Sequence, residues 1–517
     1  MKRWLLSILA LGFLFGSAFP LQGASDNPKS GGTLTMAIKR RMNLMNPMVS
    51  TRSTEKMIRD LMFEPLLGMD LEGNIQPNLA MSWEVSSDRK LYTFHLRKGV
   101  KFHDGREMSA SDIKFSMDYT MNPKNGAYGL RDLKAVKMVE APDKYTLQVH
   151  LKRVSAPFLA SLTSIRAFSV IPKESLQEGV RQPTGFPPGT GPFKFVEWKP
   201  QQRIVFARFN DYWGHKAFID KLVIRPILDA TVRFTALRAG DVNMIEISPY
   251  EWVKRVLDGK VKGIKAVPAT HASFRRVTFN AASPPFDNKK LREAVAHAIN
   301  RQEILAAAYL GFGEATSQRY PKGHLWYGEG VLPRSHDVNQ AKALVKESGY
   351  EGGTLNLMVS AGIYNEAVAV AVQSQLRKIG LKVRLQVVER GSGLTMRRTG
   401  TFHFRTGGGR INPDPITALV SFACEPNLKK RIRNESGYCN KEVDALIKKL
   451  ATELDREKRK WIVKQILTQL TEDVPSVAIG FAPEFFTMRE YVKGFQTDSN
   501  GSFRWWGGGL HHVWLEK

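Results

Sequence analysis

Apolar and polar residues alternate along several stretches of the chain, with the two-residue period of a half-buried strand. Three pairs of such stretches predict β-hairpins, because a short turn-forming segment separates the members of each pair. The hairpins are expected at residues 81–100, 136–151 and 192–209. The second is expected to turn at residues 141–143, which include a proline. Ser109 precedes a segment with helical spacing and is the expected N-cap of a helix.

A β-α-β unit is predicted further along the chain. Leucine and valine alternate over residues 355–359 and again over 383–387, and residues 366–379 between them have the apolar spacing of a helix. Such a unit makes part of the sheet parallel. Ligands of these units tend to lie beyond the carboxyl ends of the strands. This places residues 361–365, including Tyr364, near a cleft.

Three consecutive glycines, Gly407, Gly408 and Gly409, interrupt a strand-like run. A Pro-Asp-Pro turn at residues 413–415 follows them. Glycines in a strand let the backbone come close to a neighbouring segment or to a ligand. The segment is therefore a candidate wall of a binding site.

The length and composition indicate a globular protein of more than one domain. A chain of 517 residues exceeds what one hydrophobic core usually serves. Its apolar fraction of 43% and aromatic fraction of 10% are globular values.

The first 24 residues have the order of a secretory signal peptide. Lys2 and Arg3 precede an apolar run over residues 5–15, and small residues follow, so that cleavage after Ala18 and cleavage after Ala24 both fit. A membrane anchor is the alternative, but the run is short for one. With no cysteine near the cleavage region, a lipid anchor is not expected. The mature protein is expected in the periplasm.

The charge is strongly basic. The net charge is +27, and loss of Lys2 and Arg3 with the signal peptide leaves +25 (27 − 2). Lysine and arginine are spread along the chain without a long basic block, and export removes most nucleic-acid partners, so no nucleic-acid binding is expected. The remaining interpretations of the charge are a solvated basic surface and a surface suited to an anionic ligand.

The two cysteines, Cys424 and Cys439, predict a disulfide in an exported chain. No histidine lies between them, and their spacing is not that of a zinc site. His511 and His512 are expected to be structural or exposed. Neither a metal nor a cofactor is therefore predicted.

No catalytic motif supports an enzyme. The G-x-S-x-G, H-E-x-x-H and G-x-x-x-x-G-K-[ST] patterns do not occur. A secreted enzyme stays open as an alternative, because catalytic triads assemble across a sequence.

A series of short blocks runs through almost the whole mature chain. They are G-G-T-L at 31–34, F-E-P-L-L-G-M-D at 63–70, V-K-F-H-D-G-R-E-M-S-A-S-D-I-K-F-S at 100–116, G-T-G-P-F-K-F-V-E-W at 189–198, F-N-D-Y-W-G at 209–214, a block at 223–243, another at 279–301, Q-L-R-K-I-G-L-K-V at 375–383, the Pro-Asp-Pro turn and Y-C-N-K-E-V-D-A-L-I at 438–447. In this order the blocks resemble the family 5 extracellular solute-binding proteins, the dipeptide-, oligopeptide- and nickel-type receptors of ABC importers.

This resemblance implies an α/β, two-lobed periplasmic binding protein fold of type II, with mixed sheets, flanking helices and a ligand cleft between the lobes. The implied lobe I core is 31–51 with 187–267 and 489–517, an extra subdomain is 52–186, and lobe II is 268–488. The protein would capture a small molecule or peptide by lobe closure and deliver it to an inner-membrane ABC permease, as a monomer and without a chemical reaction.

The resemblance also gives candidate ligand contacts. Peptide-binding members hold the ligand's α-amino group with an aspartate before the Pro-Asp turn, and Arg410 occupies about that position here. Because arginine binds carboxylate or phosphate through two hydrogen bonds, the expected ligand is anionic or sugar-like. A peptide receptor with a different anchor is the alternative. The candidate contacts are Arg410, Asn412, Tyr364, Asn280, Arg52, Arg166 and Trp326.

Overall fold

A computed structural model describes the chain over the following ranges: 27–42, 45–49, 55, 58–70, 73–165, 167–173, 175–180, 185–246, 248–409, 411, 414–496, 504–505 and 508–516. The predicted signal peptide lies outside the described residues. Within these ranges, no helix combines the length and apolar character that crossing a bilayer requires.

The strands of the described residues vary from two to sixteen residues in length. They are β1 (Thr33–Ile38), β2 (Gly68–Met69), β3 (Ile75–Gln76), β4 (Ala80–Val85), β5 (Leu91–Leu96), β6 (Val136–Asp143), β7 (Thr146–Leu151), β8 (Phe193–Lys199), β9 (Arg203–Arg208), β10 (Lys221–Pro226), β11 (Met244–Ile245), β12 (Ile264–Phe279), β13 (Glu314–Ala315), β14 (Thr354–Ser360), β15 (Lys382–Val388), β16 (Phe404–Gly409), β17 (Ser476–Arg489), β18 (Val492–Lys493), β19 (Arg504–Trp505), β20 (Gly508–Gly509) and β21 (Trp514–Leu515).

The α-helices of the described residues cover the sheets. They are α1 (Ala110–Met121), α2 (Phe158–Ser161), α3 (Ala230–Ala239), α4 (Tyr250–Leu257), α5 (Lys289–Ala298), α6 (Arg301–Tyr309), α7 (Val338–Glu347), α8 (Ile363–Arg377), α9 (Arg390–Thr399), α10 (Ile416–Leu419), α11 (Lys441–Leu450) and α12 (Arg456–Asp473). Short 3₁₀ helices occupy Pro123–Asn125, Tyr128–Arg131, Val420–Phe422 and Leu510–His512.

One eleven-stranded sheet runs through the molecule in the order β15-β14-β16-β12-β17-β11-β1-β10-β9-β8, with β13 added against β17. Each half contains parallel pairs, β14 with β15 and β16 on one side and β1 with β10 and β11 on the other. The long antiparallel pair of β12 and β17 joins the halves. The fold is therefore a mixed α/β fold, as predicted.

The β12–β17 pair changes register near its middle. Pro268 pairs with Phe485, and the next pair is Ala272 with Pro483, so that three residues of β12 face one residue of β17. Such a bulge bends the strand and interrupts the ladder of hydrogen bonds. The ladder of β12 and β17 is thus most irregular at the joint between the two halves.

Apolar side chains form separate cores in the two halves of the sheet. The first core includes Leu34, Phe206 and Met488, and the second includes Val277 and Leu357, all almost inaccessible to solvent. Tyr250 and Val253 of α4 also pack in the second core, so the two halves share some buried apolar area.

The two halves also touch away from the sheet. The Ala156 amide donates to the Ala451 carbonyl oxygen at 2.9 Å. Arg456 Nη1 donates to Asn74 Oδ1 at 3.0 Å. Ala156 follows β7 of a four-stranded sheet of order β4-β5-β7-β6, and Asn74 precedes β3. The two bonds join these segments to the end of α11 and the start of α12, so the halves touch on this side.

The predicted local elements are confirmed, with one correction. Strands β4 and β5, β6 and β7, and β8 and β9 form the three hairpins, and β14, α8 and β15 form the parallel β-α-β unit. Ser109 begins α1, where Asp112 Oδ2 accepts its backbone N–H at 2.8 Å. The turn expected at 141–143 was wrong: Asp143 pairs with Thr146, so the chain turns at residues 144–145.

A disulfide between Cys424 and Cys439 confirms the predicted pairing. It closes the loop between the 3₁₀ helix Val420–Phe422 and α11. The backbone N–H of Cys424 donates to Asp444 Oδ1 at 3.1 Å, which fixes the loop against α11.

We expect the double variant Cys424→Ser, Cys439→Ser to be less stable than the oxidised protein. A crosslink over a sequence separation of 15 restricts the unfolded chain, a constraint worth about 3 kcal/mol in the chain-entropy model. Guanidinium unfolding measures the difference, and the reduced wild type should coincide with the variant. Equal midpoints for the oxidised protein and the variant would contradict the expectation.

Candidate functional site

The carboxyl ends of β14 and β16 lie at one edge of the second half of the sheet, facing the joint with the first half. In open α/β sheets this edge is where ligands bind. Of the predicted contacts, Arg410, Asn412, Arg52 and Arg166 lie outside the described residues. Tyr364, Asn280 and Trp326 are described, and the structure does not bring them together.

The three glycines of β16 have different surroundings. A Cβ atom on Gly408 would lie 1.8 Å from the carbonyl oxygen of Phe274, and one on Gly407 would lie 2.1 Å from Arg405 Nη1. A Cβ on Gly409 would meet no described atom within 4 Å. Glycine is therefore required at 408 by the neighbouring backbone. At 407 a larger residue would have to displace the Arg405 guanidinium, and Gly409 faces open space at the sheet edge.

Arg276 shares a sheet face with two of these glycines. It pairs with Gly407 across β12 and β16, and Phe274 pairs with Gly409. The Arg276 guanidinium lies 5.6 Å from the centroid of the Phe422 ring. Among the described residues, no acid lies within salt-bridge distance of it. Burial, followed by nearby positive charge, lowers the pKa of Arg276 to about 9.

The positive charge on this face exceeds the negative charge. Arg319 and Arg405 are the like charges that act on Arg276, and Glu435 is the acid that opposes them. Glu435 is already paired: Arg405 Nη2 lies 2.6 Å from its Oε2, and Arg397 Nη1 lies 2.9 Å from its Oε1. Burial favours the neutral form of Glu435, but the surrounding guanidinium groups hold the pKa of Glu435 below its usual value. The carboxylate stays ionised without neutralising Arg276.

A cavity of about 70 Å³ opens beside Arg276. Apolar side chains form most of its walls, including Phe274, Leu419 and Phe422. Arg319 also lines it and lies 4.7 Å from the centroid of the Phe274 ring. The arrangement can bind an anion, because guanidinium groups hold carboxylates and phosphates strongly where water is excluded.

Tyr364 lies at the junction between the two halves. Its hydroxyl accepts the backbone N–H of Tyr250 at 2.9 Å and donates to Glu251 Oε2 at 3.4 Å. Burial raises the pKa of Tyr364 to about 12, so the hydroxyl keeps its proton. Tyr364 thus ties the loop after β14 to the start of α4, and its contact with a ligand stays a prediction.

Asn280 lies at the amino end of the sheet, away from the carboxyl edge. Its side-chain N–H groups donate to the carbonyl oxygens of Gly400 and Phe402 at 2.9 and 3.0 Å. Its oxygen accepts from Arg431 Nη1 at 2.8 Å. It also lines a second cavity of about 300 Å³ at this end. These bonds fix the loop around β16, and a ligand contact by Asn280 stays a prediction.

Trp326 is 5% exposed and packs in a third apolar cluster with residues of α11 and α12. The Arg459 guanidinium lies 5.2 Å from its ring centroid and 2.6 Å from Asp414 Oδ2. Asp414 Oδ1 accepts the backbone N–H of Ile416 at 3.0 Å. This aspartate of the Pro-Asp-Pro turn is therefore structural, and Trp326 as a ligand contact stays a prediction.

Arg276 and Arg319 were not among the predicted ligand contacts. A signal was present for Arg276, because alternation in residues 273–279 puts it on the face of Phe274 and Thr278. Both of those neighbours are buried. Arg276 itself is half-buried, and a charged residue between two buried neighbours on one strand face indicates a partner or a function.

The family model of the bacterial extracellular solute-binding proteins, family 5 Middle, matches residues 74–429 of this chain. The dipeptide-binding protein of Escherichia coli (strain K12) is 31% identical over 458 residues, which are 82% of this chain and 84% of that protein.

Two solved structures resemble the whole described fold. The ABC transporter-associated periplasmic binding protein DppA from Helicobacter pylori, in complex with the peptide STSA, has a TM-score of 0.80 and 26% identity and covers 95% of this chain and 99% of its own. The PBP AgaA from A. tumefacien R10, in complex with agropinic acid, has a TM-score of 0.78 and 26% identity and covers 94% of this chain and 99% of its own.

We expect Gly408→Ala to destabilise the second half of the protein by about 1–3 kcal/mol or more, because its methyl group would force β16 away from β12. Gly409→Ala is the matched control and should stay within about 1 kcal/mol of wild type, since its methyl group meets open space. Thermal unfolding compares the two. Equal melting temperatures for the two variants would refute the close approach of β16 and β12.

Proposed function

The chain belongs to family 5 of the bacterial extracellular solute-binding proteins, and we propose that the solute it captures is anionic. Proteins of this family bind a solute and deliver it to the permease of an ABC importer. The chain is therefore a solute-binding receptor with the two-lobed fold of periplasmic binding proteins, and it is not an enzyme.

The charge of the sheet face next to the carboxyl edge carries the proposal. Arg276 and Arg319 both line the cavity, and Glu435 is held by Arg405 and Arg397. Arg276 is half-buried, lines this cavity and has no acid within salt-bridge distance among the described residues. An anion that enters here can therefore pair with Arg276, and a neutral solute cannot.

The relatives do not decide the class of solute. One is a dipeptide-binding protein, one structure holds the peptide STSA and another holds agropinic acid. Peptide binding with an anchor other than an aspartate is therefore the second candidate, favoured by the identity of 31% to the dipeptide-binding protein. The sequence has Arg410 where peptide binders carry that aspartate, which favours the anionic or sugar-like class.

The division into lobes is part of the proposal. We place lobe II at residues 268–488, the lobe I core at 31–51, 187–267 and 489–517, and the extra subdomain at 52–186. The first of these boundaries coincides with the register shift that begins at Pro268. The bonds from Tyr364 to Tyr250 and from Ala156 to Ala451 then join opposite lobes and stabilise the closed form.

The remaining parts of the proposal concern location and partners. A signal peptide over residues 1–24 exports the protein to the periplasm, without a lipid anchor. There it acts as a monomer that docks on its permease and binds no nucleic acid.

We expect a small anionic solute to accompany the full-length protein when it is purified from the periplasm under native conditions. Mass spectrometry of the molecules released by unfolding should find about one such solute per protein. Added back to unfolded and refolded protein, the solute should raise the melting temperature and be recovered unchanged. A neutral or cationic solute would refute the anionic proposal, and a peptide would support the second candidate.

A further inference from the structure

We propose that the disulfide-closed loop between Cys424 and Cys439 docks on a phospholipid membrane with anionic headgroups. Four exposed side chains of this loop form what we call the basic patch: Leu428, Lys429, Lys430 and Ile432. The inference goes beyond the proposed function, because it concerns where the receptor is held and not which solute it captures.

Inward bonds hold the loop in one shape, which is the first reason. Arg431 is buried, and its Nη1 donates to Asn280 Oδ1 and to the Glu435 carbonyl oxygen, each at 2.8 Å. Glu425 Oε2 accepts the backbone N–H of Ile432 at 3.1 Å. A preformed surface loses little conformational entropy when it binds a partner.

The apolar side chains of the patch are the second reason. Ile432 is 73% exposed and Leu428 is 43% exposed, although the loop that carries them is tied to the protein. A single exposed apolar residue is ordinary on a protein surface. Two of them beside adjacent lysines are the combination that binds membrane interfaces, because apolar side chains enter below the headgroups while cations pair with the anionic lipids.

The charge of the patch is the third reason. Within the part of the chain that the structure describes, no acid lies within salt-bridge distance of Lys429 or Lys430. Glu425 and Glu435, the acids of the loop, already accept hydrogen bonds from other groups. The two ammonium groups are therefore available to anions outside the protein.

A second basic surface shows the contrast. Leu257 at the end of α4 is 56% exposed and lies close in sequence to Lys254 and Lys260. The carboxylate oxygens of Asp258 lie 3.2 Å from Lys254 Nζ and 3.7 Å from Lys260 Nζ. An acid of the protein compensates the cations there, and the basic patch has no such acid.

The small area of the patch favours a membrane over a protein as the partner. A stable protein interface buries about 800 Å² on each side, which is far more than four side chains supply, whereas a lipid surface requires no matching shape. The net charge of +27 attracts the protein to an anionic surface, and the patch determines which side it presents.

Arg433 is the third exposed cation of the loop and is not counted in the patch. Burial raises the pKa of Asp132 in the first half, and the charge of Arg433 opposes that rise. Arg433 therefore already has an acid of the protein nearby.

The test measures co-sedimentation of the protein with vesicles after purification from the periplasm. Vesicles of phosphatidylglycerol and phosphatidylethanolamine are compared with vesicles of phosphatidylcholine, which carry no net charge. Wild type should bind the anionic vesicles and not the neutral ones, and added salt should weaken the binding.

Two double variants divide the patch into its charged and apolar parts. Lys429→Gln with Lys430→Gln should bind the anionic vesicles about 10- to 30-fold more weakly. Leu428→Ser with Ile432→Ser should bind at least about fivefold more weakly, and this loss should persist at higher salt, because salt does not screen an apolar contact.

Matched controls remove the same groups elsewhere. Lys342→Gln with Lys346→Gln removes two exposed lysines from α7, and Leu332→Ser removes an apolar side chain that is 81% exposed. Both controls should bind within about twofold of wild type. All variants should melt as wild type does, because the altered side chains are exposed.

Three results would overturn the docking surface. They are failure of wild type to bind the anionic vesicles, equal binding to neutral vesicles, and equal weakening by the patch variants and their controls. If the patch variants bind vesicles as wild type does and bind the detergent-purified permease more weakly, the patch contacts a protein and the membrane proposal is wrong. The patch variants should keep their co-purified solute, because none of the four side chains lines the cavity beside Arg276. A failed vesicle test therefore leaves the proposed function unaffected.

Discussion

The long antiparallel pair of β12 and β17 holds the two halves of the sheet together. Along these two strands the sheet of the first half continues into that of the second. Each half has an apolar core, and Tyr250 and Val253 of α4 pack into the core of the second half. The register shift between Pro268 and Ala272 concentrates irregular backbone at the joint. A second register shift lies between Arg275 and Arg276. An irregular joint in a continuous sheet is where the two proposed lobes would turn during capture by closure.

The second half carries charged side chains on a sheet face where apolar side chains would give a more stable domain. It places several arginines on one sheet face and gives them Glu435 as the acid that acts on all of them. Replacing buried charges by apolar residues commonly stabilises a protein. The glycines beside Arg276 point the same way, because Gly409 leaves space that no described side chain fills. A solute that pairs with Arg276 and fills the space at Gly409 would complete this face.

Short-range sequence patterns predicted the strands and helices, whereas contacts between residues far apart in the sequence determine the site. The hairpins and the β-α-β unit follow from alternation and spacing within about twenty residues, so the sequence was sufficient for them. The turn of the second hairpin moved because strand pairing extended through Pro142 to Asp143. Tyr364 was predicted near the cleft, yet its hydroxyl bonds to Tyr250, 114 residues away, which no local pattern reveals. Alternation likewise puts Arg276 on one face of its strand, but only the folded structure shows that Glu435, its nearest counter-charge, is already bound elsewhere.

Small-angle X-ray scattering measures whether two lobes close about the β12–β17 joint. Scattering is recorded from the protein stripped of its co-purified solute and again after that solute is returned. We expect a smaller radius of gyration and a shorter maximum dimension in the loaded protein, because the lobes draw together around the bound solute. Identical scattering from the stripped and the loaded protein would contradict it.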